Sequence, residues 1–600
     1  MGFSLVLSEK RETAERIAKA LDENERPRNY WEHGVPYFEA INQGQTLRIV
    51  PAIGHLYTIA PKKRGYRYPV LDVRWVPAYR FNKRLAHTKK WIKAIEKLSQ
   101  GASNFILATD HDVEGEVIGY TILHFACKGK EKQAKRMVFS TLTKTELQKA
   151  FRNLSPTIDF KLAEAGETRH IIDFLWGINI SRALTLSLRR AGKGFTKLSA
   201  GRVQGPTLRF ITEREKEINS FVPTPYWRIS ATFEVDGQIY EAEYTNPRIE
   251  TNNEAQKIIE HCHLKEGVVK NISSRIYEKP SPPPFNLENL QSESYRIFRY
   301  SPSQTLRIAE TLYLGALISY PRTSSEKLPP TLNSEEILIS LSQSEQYKGL
   351  VSELLGTRPL RPKQGRREDP AHPAIYPTGN RSESVLNNKN ARLLDLVIHR
   401  FLSIFAPPAV NENVHITIDL NGELFLLTGR RILKEGWLRF YGHYGRREEK
   451  PVPVLNEGQR IQFKEIACTE TFTSPPPRFN SASLLKEMEK QELGTKATRA
   501  NIIDTLNNRG YVSGERIVPT DLGLGVHEAL HRYCPTLVTV EFTRELERKL
   551  EAIKKGQSNK QQVVDEASLQ LTKILQLFKV NEEAIALILS ETLQASNSLK

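Results

Sequence analysis

Cysteine is scarce. The 600 residues hold four, Cys127, Cys262, Cys468 and Cys534, widely separated and never as Cys-x-x-Cys. That spacing excludes a zinc ribbon and a disulfide framework, both of which need close pairs. His261-Cys262-His263 does not supply a metal site either, because neighbouring side chains of an extended segment point apart and zinc asks for four ligands. A Walker A loop is also missing: Gly494-Thr495-Lys496 and Ala191-Gly192-Lys193-Gly194 both lack the glycine five positions earlier. ATP-driven chemistry is therefore not expected. No run approaches the roughly 20 apolar residues of a membrane-spanning helix, and the first apolar run is too short and wrongly flanked for a signal peptide. Neither a membrane partner nor export is expected, so the chain is read as cytoplasmic. Acidic residues are the minority, 69 against 86 basic, and the net charge of +17 points to a polyanionic partner. The length exceeds what one hydrophobic core supports, so several domains are expected.

Two segments carry chemistry. In Leu317-Ile318-Ser319-Tyr320-Pro321-Arg322-Thr323-Ser324-Ser325 a tyrosine is followed by a proline that fixes the backbone. Arg322 then presents a permanent cation with a fork of donors suited to phosphate. A phenol, whose ordinary pKa is near 10, needs such surroundings to act as a nucleophile. Alone, the segment also fits an exposed tyrosine in a turn. The second segment runs from the apolar stretch Asn104–Thr109, read as a buried strand, into Asp110-His111-Asp112-Val113-Glu114-Gly115-Glu116. Carboxylates at every second position would share one side of an extended chain. They would repel one another unless a cation relieved them, and hard oxygen donors suit Mg²⁺. The alternative is a solvated acidic turn, disfavoured because ligand sites lie at the carboxyl ends of such strands.

These motifs resemble the type IA DNA topoisomerases, in the archaeal and topoisomerase III-like branch without C-terminal zinc modules. Ser319-Tyr320-Pro321-Arg322-Thr323 is similar to the family's nucleophile motif, and Asp110-x-Asp112-x-Glu114-Gly115-Glu116 to its Toprim metal motif. The likeness continues in order through the chain. It takes in Leu5–Lys10 with the Glu9-Lys10 pair, Gly54-His55-Leu56, Ser199-Ala200-Gly201-Arg202-Val203-Gln204, Ala371–Thr378 around His372, and Gly494–Arg499 before a helix ending Asn508-Arg509-Gly510-Tyr511. Val113 departs from the arginine that many relatives carry there. Arg136–Thr143 follows the topoisomerase III-like pattern.

The resemblance implies a multidomain α/β and α+β fold, an N-terminal Toprim domain joined to a toroidal core with a β-rich arch and a helical gate. The expected divisions are 1–155 Toprim, 156–222 and 478–600 a helical DNA-binding domain in two parts, 223–284 and 404–477 the arch, and 285–403 the gate. Pro282-Pro283-Pro284-Phe285-Asn286 and Pro475-Pro476-Pro477-Arg478-Phe479-Asn480 mark the two exits from the arch, each proline run stiff and each asparagine able to cap the next helix.

The implied activity is ATP-independent cleavage of one DNA strand through a 5′-phosphotyrosine at Tyr320, then passage of a strand or duplex and religation, relaxing negative supercoils, decatenating, or both. Arg322 and Lys10 would stabilise the scissile phosphate, stabilisers of that kind being worth about 10²–10³ in rate each. Glu9 would handle the proton of the leaving 3′-oxygen. Glu9, Asp110, Asp112 and Glu114 would hold Mg²⁺, and His372 would contact phosphate. His55, Arg169, Ser199, Ala200, Gly201, Arg202, Val203, Gln204, Lys496, Thr498 and Arg499 are the expected DNA contacts. The basic loop Arg358–Arg367 would steer DNA toward the gate. The expected substrates are single-stranded and negatively supercoiled DNA, handled by a nucleoid-associated monomer with a helicase as a possible partner. A Toprim-type metal-dependent nuclease is the alternative; it would not need Tyr320.

Overall fold

The computed structural model describes residues 2–63, 65–190, 197–262, 266–357, 359–380, 387–446, 448–496 and 498–598. The expectations touching residues 191–194, His263, Arg358 and Ala497 lie outside them. Near the N-terminus, alternating apolar strands and amphipathic helices build a six-stranded sheet. Its order is Arg28–Glu32, Val35–Asn42, Gln45–Pro51, Phe3–Ser8, Ala102–Ala108, Lys135–Arg136. The strand Phe3–Ser8 pairs in parallel with both of its neighbours. Its residues Leu5, Val6 and Leu7 are fully buried, as expected of a strand covered on both faces. The helix Arg11–Leu21 lays Ala14, Ile17, Ala18 and Leu21 on one side of this sheet. Ser8 and Ala108 are register partners, so the chain leaves two adjacent parallel strands at the same level, into Glu9 on one and Asp110 on the other.

The helix Phe160–Arg190 is the spine of the helical part. By length and composition it is apolar enough to cross a membrane, which corrects the expectation that no such segment exists. Its apolar residues are used otherwise. Ile172, Leu175, Trp176, Ile180, Leu184 and Leu188 are buried in one core with residues of the helices Val540–Lys554, Lys560–Val580 and Glu582–Ser598. The Trp176 ring stacks on Phe542 with centroids 4.1 Å apart.

Six strands form a closed barrel drawn from two stretches of chain: Pro225–Val235, Gln238–Tyr244 and Glu266–Lys279, then Ala409–Leu420, Glu423–Lys434 and Arg460–Phe472. Phe233, Phe425 and Phe463 fill its centre. Lys279, the last residue before the chain departs, is the register partner of Ala409, where it returns. After each proline run the asparagine caps a helix. The Asn286 side chain accepts from the Asn289 N–H at the start of Leu287–Phe298, and Asn480 with Ser483 forms a capping box on Ser481–Lys490.

Candidate active site

Between Asp110 and Gly115 the chain turns from strand to helix. The helix begins at Val113 with Asp112 as its N-cap, whose Oδ1 accepts the Gly115 N–H at 2.8 Å. A Cβ at Gly115 would lie 2.1 Å from the Asp110 carbonyl oxygen, so only glycine fits the turn. The predicted alternation of four carboxylates along one side of an extended segment is therefore corrected: extension stops at Asp112, and the later acids rotate with the helix. Glu116 is fully buried and ion-paired with Arg136 at 2.9 Å. The same guanidinium donates to the carbonyls of Leu107, Thr109, Asp110 and Met137 at 2.7–3.2 Å, clamping the strand end that presents Asp110. Glu114 Oε2 accepts from His55 Nε2 at 2.9 Å and His170 Nε2 at 3.0 Å.

The tyrosine motif arrives on this strand end from a distant part of the chain. Leu317–Thr323 runs beside residues 372–378. Ser319 N–H donates to the Tyr376 carbonyl and Thr378 N–H to that of Leu317, both at 3.0 Å, while Thr323 Oγ1 donates to the His372 carbonyl at 3.1 Å. Two motifs some fifty positions apart thus form one unit. The Tyr320 N–H donates to the Ser140 carbonyl at 2.8 Å, and its hydroxyl donates to Asp112 Oδ2 at 2.6 Å. Tyr320 is 2% exposed. Burial and the carboxylates of Asp112 and Asp110 push its pKa well above the ordinary phenol value, so it is protonated here.

Arg322 pairs with Glu310 and lies 3.8 Å from Asp112 Oδ2. Glu9 joins the cluster from the neighbouring strand end, with Lys10 Nζ 3.7 Å from its Oε1. Burial, then the charge of Asp110, raises the Glu9 carboxyl to about 8, and burial raises Asp110 to about 6. Among the described residues Lys10 and Arg322 are the cations that act most on these enclosed carboxylates, whose oxygens are hard donors of the kind that suits Mg²⁺. His372 lies with its ring centroid 4.4 Å from that of Tyr320. Its Nε2 lies 3.1 Å from the His111 carbonyl, which only accepts, so that nitrogen carries the proton and Nδ1 accepts from Ser140 Oγ at 3.1 Å. Burial and then the positive charge of Lys496 lower its pKa to about 4, consistent with a neutral ring.

The structure therefore brings together Glu9, Lys10, Asp110, Asp112, Tyr320, Arg322 and His372. The other predicted residues lie outside this cluster, and four of their cations, Arg169, Arg202, Lys496 and Arg499, hold carboxylates. Arg169 and Arg202 share Glu547, at 2.6 and 3.1 Å, and Arg202 also pairs with Asp173. Ser199 exchanges two backbone hydrogen bonds with the buried Tyr511 hydroxyl, at 2.9 and 2.8 Å. Ala200 and Val203 are packed in the helical core, Gly201 precedes the helix Gln204–Asn219, and Gln204 opens it. Lys496 pairs with Asp369, which also accepts the Ser324 N–H, and Arg499 pairs with Glu288 at 2.7 Å. Thr498 Oγ1 accepts from Thr495 N–H rather than capping the following helix.

Sequence reasoning missed Glu310 and Tyr313, whose hydroxyl lies 3.4 Å from Asp110 Oδ1, and it missed Ser140, Asp369 and His170. Glu310 and Tyr313 had a weak signal, an i,i+3 pair on a helix just before the tyrosine loop. Ser140 lay within the Arg136–Thr143 stretch already singled out, while Asp369 and His170 had no signal, because their partners lie far away in the chain.

Carboxylates at the ends of parallel strands, with a tyrosine and an arginine laid across them, are the site that the comparisons with known proteins place in a class, the enzymes that cut and reseal DNA. A DNA topoisomerase family model matches residues 157–565 and a Toprim domain model matches residues 4–142. The chain belongs to the type IA DNA topoisomerases. It is 43% identical over 598 residues to DNA topoisomerase 1 of Pyrococcus horikoshii, covering 99% of this chain and 87% of that one. To DNA topoisomerase 1 of Methanocaldococcus jannaschii it is 42% identical over 599 residues, covering 99% and 77%. Full-length topoisomerase I from Thermotoga maritima shares the fold, with a TM-score of 0.74, 24% identity and coverage of 95% and 90%. The protein is thus an isomerase that acts on DNA by cutting and resealing strands, and its Toprim domain is of a metal-binding kind.

Proposed function

We propose that Tyr320 is the nucleophile and that the cluster around it relaxes negatively supercoiled DNA one strand at a time. The observation that carries this is the 2.6 Å hydrogen bond from the Tyr320 hydroxyl to Asp112, two residues that sequence places 208 positions apart. Tyr320 Oη attacks the phosphorus of a single-stranded segment, its proton passing to Asp112. The bond to the 3′-oxygen breaks, leaving a 5′-phosphotyrosine, and Glu9 supplies a proton to the departing oxygen. Religation reverses each transfer. Arg322, oriented by Glu310, and Lys10 hold the phosphate oxygens, with His372 alongside. Glu9, Asp110 and Asp112 would hold Mg²⁺, which supplies charge neutralisation and keeps the broken ends positioned. Glu114, expected among these ligands, has the two histidines as its partners. Arg169, Ser199–Gln204, Lys496 and Arg499 would grip the strand backbone once DNA displaces their carboxylates. Backbone contacts carry no base information, so sequence preference is weak. The protein works as a monomer on nucleoid DNA in the cytoplasm, where a helicase could supply single strands. The domain divisions expected from the sequence complete this reading, with 285–403 as the gate.

The test is plasmid relaxation with Mg²⁺ and no ATP, beside Tyr320→Phe and an EDTA control, with denatured samples checked for protein on a 5′ end. Relaxation and 5′ linkage, both lost with Tyr320→Phe, are expected. Metal-dependent nicking that survives the substitution would favour a Toprim nuclease instead.

A further inference from the structure

The structure assigns a second metal site to His55, Glu114 and His170, a place for one borderline transition dication of the Zn²⁺ class, separate from the carboxylate cluster. The three residues come from three elements: the loop after the strand Gln45–Pro51, the first turn of the helix Val113–Thr121, and the helix Phe160–Arg190. Their ligand atoms all lie within 4.8 Å of one another. Both imidazole Nε2 atoms approach the same oxygen, Glu114 Oε2, at 2.9 and 3.0 Å. A simple ion pair would need only one histidine. Here two nitrogens and one carboxylate converge on a point, with ring centroids 4.9 Å apart. If each imidazole moves its proton from Nε2 to Nδ1, two lone pairs and the carboxylate face one small space.

The donor chemistry selects the ion. Imidazole nitrogen suits zinc and its neighbours, whereas Mg²⁺ takes oxygen donors. Each side chain is about a third exposed (31%, 33% and 29%), which leaves room for water to complete the coordination. The ion would tie the sheet's loop and the helix capped by Asp112 to the long helical spine. Through Glu114, two residues after Asp112, it would also steady that cap.

The test is calorimetric titration with Zn²⁺ of the full chain in saturating Mg²⁺, which occupies the hard-donor cluster. One Zn²⁺ per chain is expected, with a rise in melting temperature. His170→Gln should weaken it at least about tenfold, the low end of what losing even a supporting partner of a metal ligand costs. The doubly substituted Asp110→Asn, Asp112→Asn protein should bind it as the unmodified chain does. X-ray absorption of the zinc-loaded chain should show imidazole nitrogen and oxygen without sulfur. Absence of saturable binding, loss with the aspartates instead of His170, or sulfur in the shell would overturn the assignment. If His170→Gln does not fold, His55→Gln replaces it and the absorption spectrum of the unmodified chain decides. None of these readings depends on strand cleavage, so Tyr320→Phe protein should give the same titration whatever becomes of the proposed reaction.

Discussion

The two oxygens of Asp112 have different partners, Gly115 N–H for Oδ1 and the Tyr320 hydroxyl for Oδ2. Its substitutions should therefore separate. Asp112→Asn keeps an oxygen for the cap but loses the charge, so Mg²⁺-dependent religation should fall with the melting temperature nearly unchanged. Asp112→Ala should add a loss of about 1 kcal/mol of stability, the usual cost of removing a capping side chain. Activity and chemical denaturation measured on both proteins check this. Arg136 gives a larger effect. With Glu116 fully buried at its side, Arg136→Leu leaves an uncompensated charge between the helix Val113–Thr121 and the sheet, and a loss of about 3–5 kcal/mol is expected in a urea titration. Adding Glu116→Leu should recover the part due to the unpaired charge but not the part due to the lost clamp on four carbonyls.

At the scale of elements, the helix Asp521–Tyr533 holds His527 with 3% of its surface exposed and Nε2 without a hydrogen-bond partner. Burial, with Lys216 and His531 nearby, lowers its pKa from 6.5 to about 4. The sign follows: the unfolded chain binds this proton first, so the stabilisation is complete above pH 6.5 and is lost as pH falls toward 4. At about 1.4 kcal/mol per pKa unit the loss is at most about 3.5 kcal/mol. His527→Phe should flatten the fall in melting temperature between pH 6.5 and 4. Elements of this size were largely legible in the sequence. The apolar run at Asn104–Thr109 became the strand Ala102–Ala108, and both post-proline asparagines cap helices, because strand burial and capping are local properties. What stayed hidden was the break at Asp112. Alternating acids read as a strand until the requirement for a capped helix at Val113 is known, and that turn sends Glu114 to His55 and His170. Asp369 on Ser324 was illegible for another reason, since only the tertiary arrangement makes them neighbours, and Glu310 on Arg322 was only faintly legible for the same reason.

For the molecule as a whole, the predicted DNA-gripping cations are not idle while DNA is absent. Lys496 and Arg499 reach from one body of the chain to Asp369 and Glu288 in another, and Arg367 pairs with Glu489 in the opposite direction. On the proposed reading, a strand entering would compete for these charges before it reached the enclosed tyrosine. Single-strand binding should weaken linearly in log–log fashion with salt, and Lys496→Ala should lower that slope by about 0.7, the share of one phosphate neutralised. A slope that does not change would show that Lys496 stays with Asp369 and serves only to hold the molecule closed.

The meeting of Lys279 with Ala409 has a mechanical consequence. Residues 280–408, which carry the tyrosine, begin and end at one rung of one ladder, so to the barrel they are an overgrown hairpin turn. Displacing this section would have to break its packing on Trp437–Tyr444 and on the N-terminal sheet, yet it would pull no barrel strand out of register. Replacing it with a short turn should likewise leave the barrel able to close.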